Sequence, residues 1–236
     1  MSPYFRRQVT KNADWQSDSD NFIYRRSRLR PSPVGGASKR VFDLVIASLA
    51  LFPFLILFVL VAATIFFLEG TPVLYRHPRV GYGRRPFLCL KFRTMVRDSD
   101  EVLRRHLQSS PSAAREWADT RKLKEDPRVT PVGSVLRKLS LDEFPQLINV
   151  IRGEMSLVGP RPIVAEEVPM YGADAHYYFT ARPGLTGPWQ IGGRNDESYE
   201  DRVALDRGYV ENWSLWKDVF IVLKTVPVVL NSKGSY

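Results

Sequence analysis

A chain of 236 residues supports one good hydrophobic core and is too short for two large ones. Its net charge of +9 favours anionic partners such as lipid headgroups, phosphorylated substrates or nucleic acid, and says nothing about fold. A single cysteine, Cys89, excludes an intramolecular disulfide and a cysteine zinc cluster, and His77, His106 and His176 share no ligand spacing.

Residues 1–38 are polar, carry Arg6, Arg7, Lys11, Arg25, Arg26, Arg28 and Arg30, and end in Pro31-Ser32-Pro33 and Gly35-Gly36. They lack an apolar period, which predicts a mostly disordered basic tail. Beside a bilayer, such a tail would favour anionic headgroups. No apolar segment follows early enough for a signal peptide.

From Leu44 to Leu68 there is no charged residue. At about 1.5 Å per residue this stretch reaches across a hydrocarbon layer of ~30 Å. Pro53 interrupts it, and an interior proline removes a hydrogen bond and kinks the axis. Both flanks are basic, with Arg28, Arg30, Lys39 and Arg40 before and Arg76, Arg79, Arg84 and Arg85 after. A spanning helix wants that charge on one side only. A re-entrant helix over 39–70 that dips into one leaflet and returns accounts for both facts, and we prefer it to a single-pass helix. A core helix of a soluble protein fits less well, because the segment is apolar on every face.

Thr71 to Tyr75 reads as a short strand, Arg79 to Arg85 as a basic turn, and Phe87 to Phe92 as a second, alternating strand. Together they predict a small β-hairpin with Cys89 as a buried thiol. Lys91 and Arg93, two apart, would share a face. Arg97 to about Lys124 has helical spacing and is split by Ser109-Ser110-Pro111-Ser112. It reads as a polar surface arm to which no chemistry can be assigned.

The stretch Asp126–Pro162 carries an adjacent acid pair, Asp142 and Glu143, among Arg128, Arg137, Lys138, Arg152 and Arg161. Two acids among so many cations suggest a site for phosphate and a divalent metal. A plainer account is also available: Ser140-Leu141-Asp142-Glu143 fits a capping box with Ser140 as N-cap, and acids suit a first helical turn. Pro145 would equally allow Asp142 to be the N-cap. Phe144, Leu147, Ile148 and Ile151 follow at helical spacing, and Gly153 reads as the stop. Either start presents the acids at a helix N-terminus, a place that attracts phosphate.

After Pro162 the chain turns irregular. Arg182-Pro183-Gly184-Leu185-Thr186-Gly187-Pro188 is a loop of the kind that builds sites, and Trp189, Gln190 and Arg194 are candidate contacts to a nucleotide or sugar. Trp189 serves packing equally well. Trp213, Trp216, Val219, Phe220 and Leu223 form an apolar helical face flanked by Lys217 and Lys224, which suits a membrane interface or a core-facing helix alike.

Leu139-Ser140-Leu141-Asp142-Glu143-Phe144-Pro145-Gln146-Leu147, Asn149-Val150 and Gly153-Glu154-Met155-Ser156-Leu157-Val158-Gly159-Pro160-Arg161-Pro162 resemble blocks of the bacterial sugar transferases. These are monotopic polyprenyl-phosphate phosphoglycosyl transferases of the exopolysaccharide-initiating type. Lys91-Phe92-Arg93-Thr94-Met95, Arg182 to Gly187, Gln190 with Gly193-Arg194, and Asp206 with Tyr209, Asn212 and Trp213 match further blocks in family order. The resemblance covers about Ser38 to Tyr236. It implies an α+β, mainly helical, monotopic membrane protein with a proline-kinked re-entrant helix. A small cytoplasmic catalytic domain, 71–236, would contain the short β-hairpin and end in an interfacial helix. The expected place is the bacterial inner membrane, with the catalytic domain facing the cytoplasm. Relatives often have Ser-Pro at the break where this chain has Phe52-Pro53, so the kink is kept, and Ser48 is the candidate partner for the backbone there.

Side chains at i and i+1 diverge by about 100° on a helix, so an adjacent pair cannot flank a glycosidic bond and a two-carboxylate glycosidase is unsuited. One acid as nucleophile with its neighbour on a metal is workable, and Mg²⁺ is held by one or two carboxylates plus substrate phosphates. The resemblance implies that Asp142 attacks the β-phosphorus of a UDP-sugar, that UMP leaves, and that polyprenyl phosphate takes the sugar phosphate. It gives Glu143 to Mg²⁺, and Lys91, Arg93, Arg128, Arg137 and Arg161 to the phosphates. The Pro160-Arg161-Pro162 turn would seat the nucleotide. Galactose or glucose is the sugar it favours. Membrane lipids are expected partners, nucleic acid beyond the nucleotide is not, and a homo-oligomer is left open. The rival from another class is a membrane-anchored, non-catalytic binder of anionic lipid or nucleic acid, which gives no reason for two acids amid the cations.

Overall fold

A computed structural model describes residues 32–120, 122–192 and 198–230. Most of the expected tail, 1–31, lies outside them. Val34 is already buried, and its amide donates to the Thr180 carbonyl at 2.9 Å. The described chain is thus already packed at Val34.

Helix α1 runs Gly36–Glu69. At its middle residue 53 is a proline, which has no amide hydrogen to give to the turn before it. The two halves, Gly36–Phe52 and Phe54–Glu69, meet at 61°. Among the described residues no single helix is long and apolar enough to cross a membrane, but this bent pair is, by length and composition. Val45, Leu49, Phe52, Leu55, Ile56, Val59 and Phe67 stand exposed along it. An apolar surface this large, unpacked by protein, marks an interaction site.

Strand β1, Leu74–Val80, pairs antiparallel with β2, Pro86–Phe92, around a turn at Tyr82–Arg84 in which Gly83 and Arg84 are left-handed. The hairpin is as expected, but its first strand starts three residues later and continues into the basic run. Pairing with β2 sets those limits, not local alternation. Tyr75 lies opposite Lys91, His77 opposite Cys89 and Arg79 opposite Phe87, so these side chains share one face. Cys89 is buried, and burial pushes its thiol up to about 11, the inert strand thiol expected.

The polar arm forms α2, Ser99–Ser109, and α3, Pro111–Thr120, divided at Ser110 as the sequence predicts. Helix α4, Pro131–Lys138, is capped by Thr130, whose hydroxyl accepts from the Gly133 amide at 2.9 Å. A 3₁₀ turn, Leu141–Glu143, leads into α5, Gln146–Arg152, which stops at Gly153 in the left-handed region (φ 81°). A short parallel pair follows, β3 Ser156–Val158 with β4 Gly184–Thr186. Between them lie 3₁₀ turns over Ala165–Asp174, broken at Gly172, and α6, Ala175–Thr180. Helices α7, Pro188–Ile191, α8, Tyr199–Glu211, and α9, Leu215–Leu230, complete the chain. The molecule is mainly helical with a small antiparallel sheet.

The main core gathers Leu147, Val150, Met155, Val158, Tyr209 and Ile221 against the first half of α1. On α9, Asp218 and Ile221 point inward, while Trp216, Phe220, Leu223 and Val226 are exposed. The apolar helical face seen in the sequence is thus the outward one.

Buried ion pairs and caps join α1 to the rest. Lys39 meets Asp218 of α9 at 2.6 Å, and Asp218 also accepts from Tyr209 at 2.7 Å and Trp213 at 3.0 Å. Asp43 accepts from the Ser156 hydroxyl and the Leu157 amide of β3. Arg40 donates to the Val150 and Ile151 carbonyls at 2.6 and 2.7 Å, at the C-terminal end of α5. One leg of the bent helix is thereby fixed to the helix that follows the acid pair.

Candidate active site

The site is built on the turn between α4 and α5. Ser140 is left-handed, φ 55° and ψ 21°, and makes no side-chain cap. For an L-residue other than glycine that conformation costs roughly 1–2 kcal/mol. Neither the capping box nor an N-cap at Asp142 forms, because α5 begins only at Gln146 after Pro145. The acids sit instead on the single 3₁₀ turn, closed by the Phe144 amide on the Leu141 carbonyl at 3.2 Å. In a 3₁₀ turn side chains at i and i+3 eclipse. Leu141 and Phe144 therefore face one way, into an apolar cluster with Phe58, Val61 and Phe92, and Asp142 and Glu143 are turned out of it.

Asn149 holds this unit on the hairpin. It is fully buried, donates to the Leu88 carbonyl at 2.8 Å and accepts from the Leu90 amide at 3.0 Å. Both groups lie on the edge of β2 that does not pair with β1. The hairpin face then delivers Lys91, whose ammonium lies 2.6 Å from Glu143 Oε1 and 4.0 Å from Asp142 Oδ2.

Burial pushes the Asp142 carboxyl up to about 6. Glu143 adds to the rise, while Lys91 and Arg137 oppose it. Its side chain is 13% exposed. Arg137 donates from Nε to the Thr94 hydroxyl at 2.9 Å and is in electrostatic reach of Asp142 and Asp126. Asp142, Glu143, Lys91 and Arg137 are thus brought together. This set offers a partly shielded carboxylate, a second carboxylate beside it, and two cations to hold phosphate oxygens. Among the described residues no group of three or more His, Cys, Asp or Glu could hold a metal. Two carboxylate oxygens suit Mg²⁺, which completes its shell with water and substrate phosphate.

Other basic residues of the sequence reading are placed elsewhere. Arg93 lies past the end of β2 and is nearly buried. It donates to the Glu69, Gly70 and Pro72 carbonyls at 2.9, 2.8 and 2.6 Å and so caps the second leg of α1. Arg128 is in electrostatic reach of Arg137. It pairs with Asp126 at 2.6 Å and lies over the Trp117 ring at 4.9 Å. Burial alone would raise the Asp126 carboxyl, but Arg128 holds it below its ordinary value. Arg194 lies outside the described residues.

Arg161 belongs to a neighbouring group. It and Arg202 lie over the Trp189 ring at 5.0 and 5.4 Å. The Pro160 carbonyl accepts from the Gly184 amide at 2.8 Å and the Pro162 carbonyl from Arg79 at 3.1 Å, so the turn is tied to β4 on one side and β1 on the other. A Cβ at Gly184 would collide with the Gly159 backbone, so this approach requires glycine. Cys89 feels Lys91, Arg79, Glu143 and Arg161 together, which makes the two groups parts of one electrostatic field. His77, beside Arg79, is pushed down to about 4 by burial and by the cations Arg79 and Lys91, and is neutral near pH 7.

The sequence shows Arg40 and Arg79 only as flanking charge and does not mark Arg202, because the contacts of Arg40 with Val150 and Ile151, of Arg79 with Pro162 and of Arg202 with Trp189 join residues apart in the chain. Asn149 did carry a signal: a polar residue between Leu147, Ile148, Val150 and Ile151 on a short apolar helix.

A helical domain on a bent apolar helix, with paired carboxylates beside Lys91 and Arg137, has the makings of a site for phosphorylated substrates. The family model described as bacterial sugar transferase matches residues 34–232, and the chain belongs to that family. It is 57% identical over 204 residues to the exopolysaccharide production protein ExoY of Sinorhizobium fredii, covering 86% of this chain and 90% of that one. It is 51% identical to the UDP-galactose-lipid carrier transferase of Erwinia amylovora, over 84% of this chain and 41% of the longer relative. To the UDP-glucose:undecaprenyl-phosphate glucose-1-phosphate transferase of Caulobacter vibrioides it is 41% identical, over 84% of this chain and 72% of the relative.

Proposed function

We propose that this enzyme transfers a hexose 1-phosphate from a UDP-sugar to polyprenyl phosphate and thereby starts assembly of an exopolysaccharide or related glycan. The observation that carries the reading is Asp142, turned out of the core beside Glu143 and Lys91 on a turn whose other side packs against the bent apolar helix. An Asp142 oxygen attacks the β-phosphorus, the bond to the bridging oxygen breaks, and UMP departs with the electron pair. An oxygen of the acceptor phosphate then attacks the same phosphorus and the carboxylate leaves, giving polyprenyl-diphosphate sugar and restoring Asp142. The first attack needs the ionised carboxylate, and Lys91 and Arg137 favour that form while offsetting charge on the phosphoryl oxygens. Arg161, on the same field, would meet the nucleotide end of the diphosphate. Glu143 would hold Mg²⁺, which when bound supplies charge neutralisation for the diphosphate.

In this reading residues 39–70 form the re-entrant segment and 71–236 the cytoplasmic domain at the bacterial inner membrane. The outward face of α9 lies in the membrane interface, with Trp216 and Phe220 among its anchors. The relatives' substrates make UDP-galactose and UDP-glucose the donors to test first. The test is UMP release from the full chain in membranes with Mg²⁺, undecaprenyl phosphate and each UDP-sugar. Asp142→Asn is expected to abolish turnover while membrane association persists. Substantial residual turnover in that variant removes Asp142 as nucleophile.

A further inference from the structure

Thr94 stands just past β2, where the chain leaves the hairpin and runs beside the start of α4. Its backbone is fixed there. The Thr94 carbonyl accepts from the Thr130 amide at 3.1 Å, and the Arg128 carbonyl accepts from the Val96 amide at 2.9 Å. Between these bonds Met95 and Val129 form an antiparallel bridge. Thr130 caps α4, so the pairing sets the start of that helix against residue 94. Gly133 follows one turn in. A Cβ there would collide with the Thr94 backbone, so this close approach requires glycine. Arg137 is four residues beyond Gly133 and shares its face of the helix. Helical side chains lean toward the N-terminus, so Arg137 reaches back over Thr94. Its Nε donates to the Thr94 hydroxyl at 2.9 Å. Thr94 is buried, so little water competes for that bond.

We propose that Thr94 is a positioning residue for the phosphoryl transfer: by holding Nε of Arg137 it aims the two terminal nitrogens of that guanidinium at the phosphate that Asp142 attacks. The proposal rests on the transfer reading above and adds to it a residue that touches no substrate. Three observations support it. Among the described residues the bond to Thr94 is the one hydrogen bond of the Arg137 side chain, and Arg137 is the one side-chain partner of the Thr94 hydroxyl. Asp142 attracts the guanidinium, so the group stands within the field of the acid. The mount is rigid, because backbone pairing on both sides of Met95 holds residue 94 while α4 carries residue 137. A guanidinium is a planar fork, so fixing one nitrogen sets the direction of the other two. An arginine held only by its stem would lose rotamer freedom each time it gripped a phosphate. The buried hydroxyl imposes that order before the substrate arrives. Lys91 is placed differently, by its contact with Glu143.

The test is UMP release from the full chain in membranes, with Mg²⁺, undecaprenyl phosphate and varied UDP-sugar. Thr94→Val keeps the shape of the side chain and deletes the acceptor. It is expected to lower kcat/KM for the UDP-sugar about tenfold, the worth of one hydrogen bond to a charged group. Thr94→Ser restores the hydroxyl and should bring kcat/KM back to within about twofold of wild type. Arg137→Lys leaves no Nε to be held, so adding Thr94→Val to that variant should cost less than about twofold more. Should the valine variant fail to fold, Thr94→Ala carries the same expectation, with the same rescue by serine. Wild-type kcat/KM in the valine variant overturns the Thr94 assignment alone. A serine variant as impaired as the valine one also overturns it, and marks a packing role. So does a larger further loss in the Arg137→Lys background, since Thr94 would then act apart from Arg137. A wild-type protein that releases no UMP from any UDP-sugar overturns the functional reading, and the Thr94 role with it.

Discussion

Replacing Asp142 by asparagine removes a charge from a place where burial disfavours it. The folded carboxyl is pushed from an ordinary 3.8 up to about 6, so the folded chain holds this proton more tightly than the unfolded one. The stability it contributes is fully present below about pH 4 and is lost as pH rises through about 6. At about 1.4 kcal/mol per unit, two units amount to about 3 kcal/mol disfavouring the fold once the group is ionised. The side chain is only 13% exposed, so little of this is screened by solvent. The carboxamide of the Asp142→Asn variant cannot ionise, so that variant should be the more stable protein near pH 8, by up to about 3 kcal/mol, and no more stable near pH 4. For a chain of this size that corresponds to a thermal midpoint several degrees higher, at about 2–4 °C per kcal/mol. The assay is thermal unfolding in nanodiscs with divalent cations chelated, at both pH values, beside UMP release. A variant equally stable or weaker near pH 8 would refute the argument that a strained, buried carboxylate is kept for chemistry.

Lys91→Met should shift the acidic limb of kcat/KM to higher pH, because the ammonium opposes the upward shift of Asp142; a pH–rate profile reads it directly. Asn149→Ala leaves the Leu88 carbonyl and Leu90 amide without their partner and should cost about 3 kcal/mol in urea unfolding. Arg93→Lys distinguishes the two roles considered for that residue. As a cap on three carbonyls its loss should lower stability by about 2 kcal/mol with the KM for UDP-sugar unchanged, whereas a phosphate contact would raise that KM.

What the sequence settled by itself were features caused by covalent structure or by near neighbours. Pro53 lacks an amide hydrogen wherever it stands, so the break in α1 was legible, as was the stop at Gly153, where the left-handed backbone favours glycine. The hairpin and the division of the arm at Ser110 followed from alternation and from a proline at a helix start. The acid pair among cations was visible as composition. Its presentation was not: a capping box is the better local choice, and it fails because Ser140 is left-handed while Glu143 turns to Lys91, 52 positions away in the chain. Arg93 has the same chemistry as Lys91 and sits two residues on, yet it closes a helix end instead of facing the acids. A long cationic side chain takes whichever acceptors the fold brings within reach, and open carbonyls at a helix end compete with carboxylates for it. Those meetings are between residues distant in the chain, so only the tertiary structure could decide them.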